Sequence, residues 1–468
     1  MSEPFSADDA VRWTGGELVR GEPALSFAGV TIDSRNVPAG SLFVAIAGAR
    51  FDGHDFLDDA LRAGAAGLLV RAGRKAPETA TCVIAVEDTT RALGALAAGH
   101  RRRHSGPLVA ITGSNGKTTT KEMCAAILAV SGPCLKNEGN LNNEFGLPIT
   151  LLRRGAQHRS VVVELGMNHR GEIARLAAIA QPRVAVITNA GTAHIEHLGS
   201  RENIALEKGD LVAALDADAT AVLNADDPLV LAQAARTAAR VVRFGRGELA
   251  DVRADAVTAT PDGRHRFMLS APQGQVEVSV AGLGETTVPN ALAAAAAALA
   301  SGVPLADVAT GLRNYSPVAG RLTPIALANG GLLIDDTYNA NPQSMEVALR
   351  TLARGDQVGR RIAVLGDMGE LGEYGADAHR DAGALAAQLG IDRLFAVGAH
   401  AGEVIAAARA AGMDAASLHA GRDWEETAQR VLEGLGAGDR VLVKGSRSMR
   451  MERIVAHVRR GAGAEDAV

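Results

Sequence analysis

Aromatic residues are scarce in this 468-residue chain, at 3%, which leaves few platforms on which nucleic-acid bases could stack. Positive charge is not in excess either. The formal net charge is −5, and a general nucleic-acid binder needs the opposite sign. The only cysteines are Cys82, Cys124 and Cys134. An odd, scattered set gives neither a disulfide framework nor a zinc-type spacing, and fits a reducing compartment. Long apolar runs are also missing: the least polar stretch, residues 291–302, is mostly alanine and too short to span a bilayer. Residues 1–12 are acidic and polar and lack the basic start and apolar stretch of a signal peptide. The expectation is a cytoplasmic protein with no nucleic-acid partner and no membrane insertion.

What is present is enough apolar material, 47% of residues, to build packed cores without staples, in a chain too long for a single one. Residues 1–104 alternate short apolar runs (42–46, 67–70, 83–86) with helical stretches such as 56–63, as a small α/β unit does. This block ends on Arg101, Arg102, Arg103 and His104, followed by Ser105, Gly106 and Pro107. A charge run before a breaker reads as a solvated helix end and a linker. Residues 105–317 open with an apolar strand at 108–111, a loop, and a helix from Lys117 whose buried face would carry Met123, Ile127 and Val130. Strand-like runs at 161–163, 184–187 and 221–223 each end in polar residues: Glu164; Thr188 and Asn189; Asn224, Asp226 and Asp227. Ligands of open parallel sheets bind beyond the carboxyl ends of strands. Residues 318–468 repeat the pattern, with strands at 332–334, 362–365, 394–397 and 441–443 between alanine-rich helices.

The most informative motif is the loop Thr112-Gly113-Ser114-Asn115-Gly116-Lys117-Thr118-Thr119. Gly113 and Gly116 let backbone amides face phosphate oxygens, Lys117 supplies a cation, and the Thr118 hydroxyl can hold Mg2+. The general pattern asks for a glycine five residues before Gly116, where this chain has Ile111. Glu164, ending a buried strand, is either a metal-binding acid or a surface one. His194 is a metal ligand or a polar loop residue. Lys208 reads as an exposed lysine on a helix. The string Asp335-Asp336-Thr337-Tyr338-Asn339-Ala340-Asn341-Pro342 either binds a polar ligand or caps the next helix. The glycine-rich stretch 366–372 lacks dinucleotide-binding spacing and reads as a loop.

Together these segments resemble the Mur ligases, the ATP-dependent enzymes that build the peptide of the bacterial cell wall. The resemblance covers nearly the whole chain. It is carried by Ile32-Asp33-Ser34-Arg35, by residues 140–148 (Asn140-Leu141-Asn142-Asn143 onward), by Asp335 to Pro342, and by Val443-Lys444-Gly445-Ser446. It implies a three-domain α/β fold: a small N-terminal α/β substrate domain over 1–104, a central P-loop ATPase-like parallel-sheet domain over 105–317, and a C-terminal Rossmann-like domain over 318–468. It implies ATP and Mg2+ as cofactors. The Asp335–Pro342 string further implies D-alanyl-D-alanine and UDP-N-acetylmuramoyl-tripeptide as substrates, joined through an acyl phosphate by a monomer. The resemblance gives roles residue by residue. Lys117, Lys208 and His194 would be catalytic; Thr112 to Thr119, Asn290, Arg321 and Asp336 would hold the nucleotide. Thr118, Glu164, His194 and a carbamylated Lys208 would hold metal. Ser34, Arg35, Asn142, Asn143, Tyr338, Asn339 and Asn341 would hold the other substrates. Glu207, where the family often has alanine, and Pro289, before Asn290, depart from its pattern.

Overall fold

A computed structural model describes residues 2–48, 50–260, 263–354 and 359–463. Three larger sheets organise them in chain order. The first runs Glu17–Arg20, Val83–Val86, Gly67–Arg71, Ser41–Val44, Gly29–Thr31, parallel except at the Glu17–Arg20 edge. The third runs Thr323–Ala326, Leu332–Asp336, Arg440–Lys444, Arg361–Gly366, Arg393–Val397, Leu418–Gly421, again with one antiparallel edge. The expected three-part α/β fold is therefore present.

The central sheet positions the site. Its parallel part runs Cys134–Lys136, Ser160–Glu164, Leu108–Thr112, Val184–Ile187, Thr220–Asn224, Arg240–Gly245, Val252–Ala259, and the antiparallel strands Arg264–Ala271 and Gly274–Ala281 extend it. Every residue of the strands Leu108–Thr112, Ser160–Glu164 and Val184–Ile187 is buried. Helices cover both faces of such strands, which is why they read as unbroken apolar runs. The chain adds two strands on one side of Leu108–Thr112 and then crosses to build the other side. The order thus reverses at Leu108–Thr112, and a crevice opens at its carboxyl end, where ligands of such sheets bind.

Two sequence expectations fail locally. Arg101 is not solvated. It lies on the helix Thr89–Arg102, whose Leu93, Leu96 and Ala97 share one apolar cluster with Leu42 of the first sheet and Leu108 of the second. Its buried guanidinium donates to the carbonyls of His104 (2.6 Å) and Gln181 (3.4 Å); only Arg102 and Arg103 face solvent. Val130 is likewise exposed although Met123 and Ile127 are fully buried. The helix Lys117–Leu128 gives way to a tighter turn at Ala129–Ser131 ahead of Gly132 and Pro133, and the changed pitch turns Val130 away from the core.

Candidate active site

The crevice is a cavity of about 930 Å³ between the central and third sheets. On one wall is the phosphate-binding loop. Gly113 has φ 152° and Gly116 φ 80°. A Cβ on Gly113 would lie 1.8 Å from Thr188 Oγ1, and one on Gly116 2.2 Å from Asn290 Oδ1, so a side chain at either position would strain the backbone and displace Thr188 or Asn290. Ile111 is still within the strand and fully buried; the turn begins after it, and no glycine is needed there. Thr112 lies behind the loop, its hydroxyl donating to the Leu165 carbonyl at 3.0 Å. Lys117 Nζ donates to the carbonyls of Gly113 (2.7 Å) and Ser114 (3.2 Å). Thr119 lines the cavity beside them. Burial lowers the Lys117 pKa against the opposing pull of Glu164.

Glu164 receives a hydrogen bond from Thr118 Oγ1 at 2.6 Å and another from Asn142 Nδ2 at 2.9 Å. Burial would raise its pKa, but the charges of Lys117 and Arg321 and these two hydrogen bonds outweigh it and hold it below the usual range. Glu164 is thus a buried, charged acid beside the loop. Behind it Asn137 bonds both backbone groups of Glu164 and the Leu141 carbonyl. Asn143 lines the cavity, and its Oδ1 accepts the N–H groups of Phe145 (3.2 Å) and Gly146 (2.9 Å) where the helix Gly146–Leu152 begins. Asn290 is buried at the start of the helix Thr287–Ala300, and Pro289 falls in its first turn, where no intrahelical N–H is lost.

Lys208 corrects the sequence reading. On the helix Arg201–Ala213 it is 1% exposed. That helix is walled in by the helix Glu172–Ala180, the turn Ala232–Arg236 and the strand Val184–Ile187. No hydrogen bond or ion pair joins the Lys208 ammonium to any described residue. Burial, with the Lys117 charge, pushes its pKa well below the ordinary lysine value. Glu207 is turned elsewhere: its carboxylate accepts the N–H groups of Gly171 (2.8 Å) and Ile173 (3.0 Å), capping the helix Glu172–Ala180.

The third sheet supplies the facing wall. Arg321 Nη2 donates to Thr118 Oγ1 at 2.8 Å, and its guanidinium lies 4.2 Å over the Tyr338 ring. Asp336 accepts the Leu322 N–H at 3.1 Å and pairs at 2.6 Å with buried Lys444, which also donates to the Asn339 carbonyl at 3.0 Å. Asn341 bears out the capping reading of its string. Its Oδ1 caps the helix Pro342–Ala353, while its Nδ2 donates to Asn115 Oδ1 at 2.8 Å across the crevice. Asn115 Nδ2 in turn donates to Gln343 at 3.2 Å. His194 Nδ1 lies 2.6 Å from the Glu370 carboxylate.

Ser34 and Arg35 stand apart from this assembly. Neither lines the cavity, and Arg35 is a largely exposed side chain paired with Asp33. Lys444, Gln343 and Glu370 were not singled out as site residues. Lys444 obeys the strand-end rule that marks Glu164; Glu370 lies in the glycine-rich stretch 366–372, whose spacing reads as a loop.

A phosphate-binding loop at the reversal of one sheet, closed over by strand ends of another, defines a nucleotide-using multidomain α/β enzyme. Three family models match in order: the Mur ligase family catalytic domain over residues 26–101, the Mur ligase middle domain over 111–298, and the Mur ligase glutamate ligase domain over 320–447. The chain is 39% identical to the UDP-N-acetylmuramoyl-tripeptide–D-alanyl-D-alanine ligase of Escherichia coli, over 91% of this chain and 92% of that one. It is 35% identical to the Bacillus subtilis enzyme of the same name, with the same coverage. Among solved structures, MurF from Acinetobacter baumannii superposes with a TM-score of 0.89 at 35% identity, covering 98% of this chain and 99% of that one. MurF from Thermotoga maritima in complex with ADP gives 0.81 at 30% identity, covering 93% and 98%. The chain belongs to the Mur ligase family.

Proposed function

We propose that this enzyme joins D-alanyl-D-alanine to UDP-N-acetylmuramoyl-tripeptide at the expense of ATP, in peptidoglycan precursor synthesis. The observation that carries this reading is the Asn341–Asn115 bond of 2.8 Å. It sets the segment that distinguishes this ligase from its sister enzymes against the phosphate-binding loop. Residues 1–104 would hold the UDP part of the substrate, 105–317 the ATP, and 318–468 the incoming amine. The enzyme would act as a monomer in the cytoplasm; no helix among the described residues is long and apolar enough to cross a membrane.

A carboxylate is a poor electrophile, and ATP overcomes this by converting it to an acyl phosphate. The terminal carboxylate of the tripeptide attacks the γ-phosphorus and ADP leaves. The free amine of D-alanyl-D-alanine then attacks the acyl carbon and expels phosphate. Lys117 exchanges its two loop carbonyls for phosphate oxygens. Together with the loop N–H groups and Arg321 it offsets the charge that spreads over the transferring group. Asn142 and Asn143 lie on the tripeptide side, and Tyr338, Asn339 and Asn341 on the dipeptide side. Asn290 and Asp336 complete the nucleotide's surroundings.

The donors fit Mg2+. The described residues hold no cluster of three His, Cys, Asp or Glu side chains that could cage an ion, but Mg2+ bound with phosphates needs only one or two carboxylates and waters. Glu164, charged and 2.6 Å from the Thr118 hydroxyl, meets that need, and His194 is a further donor. When bound, the ion supplies neutralisation of phosphate charge. Burial pushes the Lys208 pKa well below the ordinary lysine value and so favours the free amine, which could add CO2 and lose a proton to give a carbamate anion as a further ligand.

The test is to supply UDP-linked tripeptide and ATP and measure phosphate release with each amine in turn. D-alanyl-D-alanine is expected to stimulate it. Stronger stimulation by glutamate or a diamino acid would overturn the assignment in favour of another ligase of this family.

A further inference from the structure

Two strained residues meet across the crevice. Six described non-glycine residues have positive φ. Two of these, His194 (φ 65°) and Glu370 (φ 60°), lie in loops that follow strands of different sheets, yet His194 Nδ1 and Glu370 Oε2 are 2.6 Å apart. A side chain in this backbone region is disfavoured and persists only where its surroundings enforce it, so such strain marks sites of function.

The surroundings of Glu370 do enforce it. Asp367 accepts the N–H groups of Ala399 (2.7 Å) and His400 (3.0 Å), and its carbonyl accepts the Ser446 N–H at 2.8 Å. Fully buried His379 accepts the Met368 N–H at 2.9 Å, its other ring nitrogen lying 2.6 Å from the Gly375 carbonyl. Beyond Glu370 the loop rests on the segment that follows His194: a Cβ on Gly372 would be 3.2 Å from Glu196 Cγ. The whole turn is therefore braced within the third sheet's unit, and it presents one carboxylate to one imidazole of the central unit.

A carboxylate beside one ring nitrogen of a histidine fixes the tautomer and the ring orientation, and makes the other nitrogen a better donor to a metal. We propose that Glu370 is a positioning residue for His194, delivered by the C-terminal domain, so that docking of this domain completes a centre the central domain holds only in part. This rests on the reading of His194 as a metal-binding position. The role of Glu370 is indirect; it orients His194 and does not itself meet the reacting atoms.

The test uses the full-length enzyme with ATP analogue and tripeptide, and follows Mn2+ binding by electron paramagnetic resonance. Glu370→Gln and Glu370→Gly are each expected to weaken Mn2+ binding about ten- to a hundredfold, the usual effect of removing such a partner. Glu370→Gly also relieves the left-handed backbone, so its thermal unfolding midpoint should be no lower than that of the unmodified chain. A merely structural Glu370 would give the opposite split: lower stability with Mn2+ affinity unchanged. Unchanged affinity in both variants overturns the inference. If His194→Ala also leaves Mn2+ binding unchanged, the metal reading of His194 falls with it.

Discussion

Replacing Lys208 with methionine should make the protein more stable and inactive at once. Lys208 is 1% exposed, has no bonding partner among the described residues, and has a pKa depressed well below the ordinary lysine value. In the unfolded chain the same amine is protonated at neutral pH. Folding therefore has to strip that proton or bury an unpaired charge. The ceiling on this cost at pH 7 is about 5 kcal/mol, the work of deprotonating an ordinary lysine at that pH. Methionine has similar length and flexibility and no charge, and lifts the cost. The sign of the pH dependence follows. The unfolded state binds more protons than the folded state between the depressed pKa and the ordinary one. The stability of the unmodified protein thus rises with pH across that window, by up to about 1.4 kcal/mol per unit, and falls as pH drops toward the folded pKa. Lys208→Met removes this contribution, so its advantage is largest at neutral pH and shrinks towards pH 10. Urea unfolding of both proteins at pH 7, 8 and 9, in CO2-free buffer so that no carbamate forms, measures this directly. Phosphate release should be lost throughout, and short added carboxylates should partly restore it to Lys208→Ala, which leaves room for them. A variant no more stable at pH 7, or an advantage independent of pH, would refute the argument that Lys208 is held neutral by burial.

Lys117→Ala should lower phosphate release by at least about a hundredfold, since it removes a cation aimed at the transferring group; circular dichroism confirms that the variant is folded. Gly116→Ala should abolish ATP binding in calorimetry, because φ is 80° and the new Cβ would lie 2.2 Å from Asn290 Oδ1. Lys444→Met should destabilise the third unit by about 3–5 kcal/mol in urea unfolding, because it leaves Asp336 buried without its 2.6 Å partner. Combining it with Asp336→Asn should recover part of that loss.

The strand ends were legible because two local signals agree there. An apolar run fixes a buried strand, and the first polar residues after it must lie at the sheet's carboxyl edge. That logic sets Glu164 and Thr188 at the carboxyl edge of one sheet; Asp336 ends a strand of another sheet, and only the family resemblance brings it to the same crevice. The same logic did not reach Lys208, because a lysine is read as solvent-facing unless something else covers it. What covers this one, the helix Glu172–Ala180 and the turn Ala232–Arg236, comes from other parts of the chain. Arg101 was misread for the same reason. The Lys444–Asp336 pair joins residues 108 positions apart, and a spacing of that size carries no periodic signal. Glu370 was hidden differently: glycines flank it at 369 and 372, and glycine-rich stretches read as flexible connections. Here those glycines serve a turn that holds an acid in a left-handed conformation. Burial imposed by distant segments is thus what sequence patterns miss. It is also what changes the chemistry of this site, pushing the Lys208 pKa well below the ordinary lysine value while neighbouring cations hold that of buried Glu164 below the usual carboxylate range.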